Sequence, residues 1–263
     1  MSFTLVTFHA HPDDESIATA GTMARAKAEG HRVVLVVATR GELGEHAPDA
    51  LDPGETLTER RVAEQLEAAK HLGVDRLEFL GYHDSGMAGE ATNHAPEAFA
   101  RADVEEAAAR LARLLEEERA DVLTVYDDHG GYGHPDHVQV HRVGVRAAEL
   151  AGTPRVYEST MNRDYVKQLI ERNRELIPDT PDAPDAAEMD DFGSPESMIT
   201  TTVDVRDFVD RKRAAMAAHA SQIPADSFFL AMPPEAFREA FGYEWFIRRD
   251  RRDTRETWLF EDL

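Results

Sequence analysis

Seven residues near the start of the chain, His-Ala-His-Pro-Asp-Asp-Glu at 9–15, combine two imidazoles with three consecutive carboxylates. An ordinary turn needs a Gly and one capping Ser or Asp, and three adjacent acids repel one another. A bound cation would offset that repulsion. A second cluster, His134-Pro135-Asp136-His137, closes the stretch DDHGGYGHPDH at 127–137. The chain has no cysteine, so a metal must be held by His, Asp or Glu. A catalytic zinc takes three protein ligands of these types and keeps one position for water. His9 and His11 alternate to the same side of a strand end, so either could face a site. Pro12 bends the chain and lets one aspartate turn back. Pro135 suits the first position of a helix, which places His137 in its first turn. Together the two clusters point to His11, Asp14 and His137 as ligands. His9 could equally be a packed strand residue, and His141 reads as structural or as a neighbour of a ligand. Asp136 could simply stabilise its helix start.

Those clusters need a frame. Apolar runs at 3–8, 32–39, 76–81, 121–126 and 155–160 alternate with helical patterns at 15–29, 57–72, 102–119 and 135–150. This alternation predicts an α/β, Rossmann-like three-layer fold whose mostly parallel sheet is covered on both faces. Ligands of such sheets bind beyond the carboxyl ends of the strands. HAHPDDE, TRGELGEH, GYHDSGM and DDHGGYGHPDH all fall there. Beyond about residue 161 the pattern is less regular. Residues 178–197, rich in Pro and acids, read as an exposed loop, followed by a strand near 199–203 and a helix near 205–220. RRDRRD at 248–253 reads as a solvated charge run, and the apolar WLF after it is expected to dock on the body. No linker divides the chain, and residues 1–263 read as one domain.

Composition removes several function classes. The 263 residues carry 51 acids against 29 basic residues, a formal net charge of -22. Such a field repels nucleic-acid phosphates and anionic membranes, so neither is an expected partner. No stretch has the ~18 apolar residues of a membrane helix, and the N-terminus lacks a signal-peptide pattern. A cytoplasmic protein is expected. Neither GxGxxG after the first strand nor GxxxxGK[ST] is present, which argues against a nucleotide-dependent enzyme. No GxSxG elbow is present either. The oligomeric state is not readable, and a homo-oligomer stays open.

HAHPDDES at 9–16 and GGYGHPDHVQVHR at 130–142, in this order of elements, resemble the LmbE/PIG-L family of zinc-dependent N-deacetylases. The resemblance is to its mycothiol-pathway members, the N-acetylglucosaminyl-inositol deacetylase and the mycothiol S-conjugate amidase. It covers about residues 3–160 and continues weakly into MAAHASQ at 216–222. It implies removal of an acetyl group from an N-acetylated amino sugar or small glycoside, through attack of a zinc-bound water. His11, Asp14 and His137 are implied as ligands of Zn²⁺, and Fe²⁺ suits the same set. Asp13 is implied as general base. His134 is implied as the group that stabilises the oxyanion or protonates the leaving amine. Tyr132 would assist at the same oxygen, and Asp136 would orient His134 and raise its pKa. Arg61 and Asp84 match positions that hold sugar hydroxyls. Two cues divide the alternatives: no lysine lies between Pro12 and Met23, against the amidase, while 219–237 reads more like the amidase. A non-catalytic metal-binding module is the remaining alternative.

Overall fold

The computed structural model describes residues 1–47, 49–172 and 186–263. Its centre is a seven-stranded sheet in the order β3-β2-β1-β4-β5-β7-β6. The strands are β1 Thr4–His9, β2 Arg32–Val37, β3 Arg76–Phe79, β4 Val122–Tyr126, β5 Arg155–Thr160, β6 Thr201–Asp204 and β7 Tyr243–Arg248. The first five pair in parallel, as the alternating pattern predicts. β7 runs antiparallel to both β5 and β6. Buried on both faces, β1 and β4 need continuous apolar runs rather than alternation, and TLVTFH and VLTVY supply them.

The helices are α1 Asp14–Ala18, α2 Ala20–Ala28, α3 Leu57–Leu72, α4 Val104–Glu118, the short α5 Gly130–Gly133, α6 Pro135–Ala151, α7 Arg163–Arg172, α8 Val209–Ala218, α9 Phe228–Ala231 and α10 Pro234–Phe241. α3 begins with a capping box between Thr56 and Glu59 and ends at Gly73 in the left-handed region. Successive β1 residues face opposite layers. Val6 and Phe8 pack with Leu111, Leu115 and Val143 of α4 and α6. Leu5 packs with Met23, Leu72 and Ala215 of α2, α3 and α8. Each such side chain, fully buried, contributes about 1.5–3 kcal/mol relative to exposure.

Four expectations change. The helix at 15–29 is broken at Thr19 (φ -135°, ψ 6°), whose hydroxyl bonds His9 Nε2 at 2.9 Å. α7, α9, α10 and β7 were not expected; β7, YEWFIR, inserts between β5 and β6. Arg248, the first residue of the charge run, is the buried end of β7 and pairs with Asp250 and Glu256 at 2.8 and 2.5 Å. Of the acidic Pro-rich stretch, 178–185 lies outside the described residues. Its far end is not an exposed loop: Gly193 N–H donates to Gly131 O at 2.7 Å, and Phe192 stacks on Tyr132. Trp258, Leu259 and Phe260 are buried against β1 and β5 residues, as expected of WLF.

Candidate metal centre

The site lies beyond β1 and β4, the neighbours at which the strand order reverses, where open α/β sheets bind ligands. β1 ends at His9, whose Nδ1 meets the Tyr126 hydroxyl and whose Nε2 meets Thr19, both at 2.9 Å. With both nitrogens engaged, His9 is a packed strand residue. His11 faces the crevice instead. Its N–H donates to Asp14 Oδ2 at 2.8 Å, closing the turn, and its Nδ1 lies 3.4 Å from the same oxygen. Asp14 Oδ1 lies 3.3 Å from His137 Nε2. One carboxylate thus spans two imidazoles, one oxygen to each. Burial opposes its ionisation, but His137 and His11 hold it well below the usual carboxylate range.

His137 reaches this point because Pro135 starts α6 and the loop before it turns tightly. Gly130, at φ +73°, allows that turn. A Cβ there would lie 2.7 Å from His137 Cβ and 2.8 Å from Val138 N. His137 Nδ1 donates to the Gly130 carbonyl at 3.2 Å, which leaves the lone pair on Nε2. Nε2 is buried and has no hydrogen-bond partner, and Tyr126 stacks on the ring at 4.3 Å. An aimed imidazole lone pair beside an ionised carboxylate fits a cation.

His11 and His137 also come close to His134, and His11 to Asp84 and Asp136. In both sets the extra groups also have hydrogen-bond partners outside the set or in the backbone. His134 Nδ1 accepts from Asp136 N–H at 3.1 Å, capping α6, so its Nε2 carries the proton. Asp136 accepts from Ser85 N–H at 2.9 Å and from the Ser85 hydroxyl, and its Oδ2 lies 3.1 Å from His11 Nε2. Its carboxylate therefore orients His11, not His134 as the sequence suggests. Burial, then His11 and His137, lower His134 to about 4 against the opposing pull of Asp136. The expected rise is reversed.

Asp13 occupies φ 107°, ψ -32°, a region costing a non-glycine residue about 1–3 kcal/mol. Burial raises its carboxyl to about 6, with Arg61 opposing and Asp14 adding to the rise.

A family model described as GlcNAc-PI de-N-acetylase (PIG-L) matches residues 6–148. A 1D-myo-inositol 2-acetamido-2-deoxy-alpha-D-glucopyranoside deacetylase of Streptomyces avermitilis is 44% identical, across 98% of this chain and 97% of that protein. A protein of the same name from Acidothermus cellulolyticus is 42% identical, across 92% and 87%. The chain belongs to the PIG-L family. Its fold is similar to that of N,N'-diacetylchitobiose deacetylase from Pyrococcus horikoshii, at a TM-score of 0.60 and 19% identity, covering 98% and 88% of the two chains.

Within this PIG-L site, Arg61 is buried and faces the HPDD turn. Its guanidinium donates to Pro12 O at 2.6 Å, Gly41 O at 2.8 Å and Asp13 Oδ2 at 3.1 Å. Asp84 accepts from Gly86 N–H at 2.9 Å and Leu43 N–H at 3.3 Å, and lies 3.4 Å from His11 Nε2. Both residues expected to hold sugar hydroxyls thus already brace the turn and His11. Tyr132 stands half exposed, edge-on to His137 at 5.0 Å between ring centres. Burial and the Asp14 and Asp13 charges raise its phenol, which stays protonated near neutral pH. His141 Nδ1 bonds Tyr126 O at 2.9 Å, a structural contact. Sequence reasoning missed Ser85 and Tyr126: a serine in a turn and a tyrosine ending an apolar strand carry no signal by type. Beyond Asp13 and Asp14 opens a cavity of about 770 Å³, walled by Ile17, Phe228, Phe229, Met232 and Trp245. Among the described residues no helix is long and apolar enough to cross a membrane.

Proposed function

We propose that this PIG-L chain hydrolyses the N-acetyl group of an N-acetylglucosaminyl glycoside, with the inositol glycoside named for its relatives as the first substrate to test. The observation that carries the reading is the Asp14 carboxylate between His11 Nδ1 and the partnerless Nε2 of His137. His11, Asp14 and His137 would hold a divalent ion, Zn²⁺ first and Fe²⁺ by the same donors. Such an ion supplies Lewis acidity and lowers the pKa of water from about 16 to roughly 7.

The protein's own groups do the rest. Asp13, near 6, takes a proton from the attacking water and can return it to the departing amine, which leaves poorly unless protonated. His134, lowered to about 4, is neutral at pH 7 and offers its Nε2–H to the developing oxyanion, and the protonated Tyr132 phenol is a second donor. Proton delivery by Asp13 replaces the alternative of an acidic His134. Arg61 holds Asp13 in place. Ser85, through Asp136, fixes the His11 tautomer.

One feature favours a second reading. Phe228, Phe229 and Met232, from the stretch that reads like the amidase, wall the cavity and suit a bulkier amide. Acetate release from N-acetylglucosaminyl-inositol, with a thiol-conjugate amide in parallel, tests both. Release of acetate that stops with a chelator and returns with zinc is expected. Release that survives complete metal removal contradicts the mechanism. Turnover of the conjugate alone favours the amidase.

A further inference from the structure

Among the described residues only Asp13, Arg119 and Asp262 combine a side chain with positive φ, and Asp13 departs furthest, at 107°. A conformation so rarely adopted persists only where its surroundings over-determine it. Arg61 holds the carbonyl before it and its carboxylate. The Asp13 N–H is held separately, donating to Glu15 Oε2 at 3.1 Å.

Glu15 does not reach solvent. Its other oxygen accepts from Ser16 Oγ at 2.6 Å and pairs with His219 Nε2 at 2.9 Å. His219, equally buried, sits at the end of α8, and its carbonyl accepts from Gln222 and Ile223 N–H at 2.9 and 2.7 Å. Two residues on, Ser221 N–H and Oγ donate to Glu64 of α3 at 2.9 and 2.6 Å. The segment HASQ at 219–222 therefore ties α8 and α3 together and sets Glu15 from behind. Neither Glu15 nor His219 touches the imidazoles or carboxylate of the proposed ion site.

We infer that Glu15 and His219 are positioning residues for the catalytic step: Glu15 fixes the strained Asp13 backbone through its N–H, and His219 acts through Glu15. The inference rests on Asp13 being the base. It separates this pair from Arg61, which grips other atoms of the same turn, the Pro12 carbonyl and the Asp13 carboxylate. It also gives a chemical reason for a buried histidine and glutamate 204 positions apart.

The test compares metal-loaded Glu15→Ala, Glu15→Gln, His219→Ala and Asp13→Ala, measuring kcat, KM, bound metal and thermal midpoint. A base displaced by about 1 Å can cost on the order of 10²-fold. Glu15→Ala should lose about that in kcat, with KM within twofold and metal content unchanged. Glu15→Gln keeps an amide oxygen for the Asp13 N–H and should recover most of the loss. His219→Ala should lose roughly tenfold in kcat, again with KM steady. Should Glu15→Ala fail to fold, the same criteria applied to Glu15→Gln and His219→Ala decide. Variants within twofold of wild type in kcat, or losing metal and KM in proportion to kcat, overturn the inference while leaving Asp13 as base. An Asp13→Ala enzyme of normal rate instead overturns the assignment of the base, and the inference with it.

Discussion

Asp13 and Asp14 are neighbours in sequence with opposite fates. Asp14 faces two imidazoles and stays ionised, whereas Asp13 is raised to about 6 by burial that Arg61 only partly offsets. In the proposed mechanism this divergence is what would separate a ligand, Asp14, from a base, Asp13. Asp13→Asn is expected to keep its metal and lose 10²- to 10⁴-fold in kcat, the usual worth of a general base. Comparing metal content with steady-state rates checks it, and a rate within tenfold of wild type would remove Asp13 from the role. The two histidine-acid clusters were legible because their residue types are costly in turns unless something binds them. The partner of each group was not. Asp136 sits beside His134 in sequence yet bonds His11 and Ser85, since the pairing is set by where three loops meet.

At the scale of elements, periodicity located β1 to β5 and α3, α4 and α6 closely, because long apolar patterns leave little choice. It missed the break at Thr19, where the hydroxyl bonds His9 and the backbone leaves helical geometry. Gly130 is the turn that aims His137. Gly130→Ala should cost about 1–3 kcal/mol in denaturant unfolding, from strain at positive φ and the 2.7 Å approach to His137. It should also weaken metal binding; unchanged stability and metal affinity would show that the turn tolerates a Cβ. The link between α1 and α8 has a pH signature. Burial opposes the charge on His219, but Glu15 raises it above 6.5, and His219 in turn holds Glu15 at about 2 against burial. The raised histidine stabilises fully below 6.5 and loses that contribution as pH rises through its folded value. The depressed glutamate stabilises fully above 4.5 and loses it as pH falls toward about 2. The thermal midpoint of wild type minus that of His219→Gln should therefore be largest between about 4.5 and 6.5. A difference that keeps growing above neutral pH would contradict the pairing.

For the whole molecule, the C-terminal portion is joined to the rest through the sheet. β7 pairs with β5 and β6, and Trp258 and Phe260 share a core with Leu5 and Val33. The docking of WLF was legible from its apolar run; the β7 pairings were not, because YEWFIR abuts a charge run and pairs with strands distant in sequence. Residues 1–263 are accordingly expected to unfold in one cooperative transition by calorimetry, and two separated transitions would contradict a single domain. The parallel sheet, in contrast, was legible as a whole, and it brings the odd loops to one edge.

The central claim is that one divalent ion sits among His11, Asp14 and His137. Anomalous diffraction at the zinc edge, from crystals of the zinc-loaded protein, tests it most directly. One strong peak is expected about 2.0–2.2 Å from His11 Nδ1, an Asp14 oxygen and His137 Nε2. A peak bound instead through His134 or the Asp84 and Asp136 carboxylates, or none at this edge of the sheet in active crystals, would contradict it.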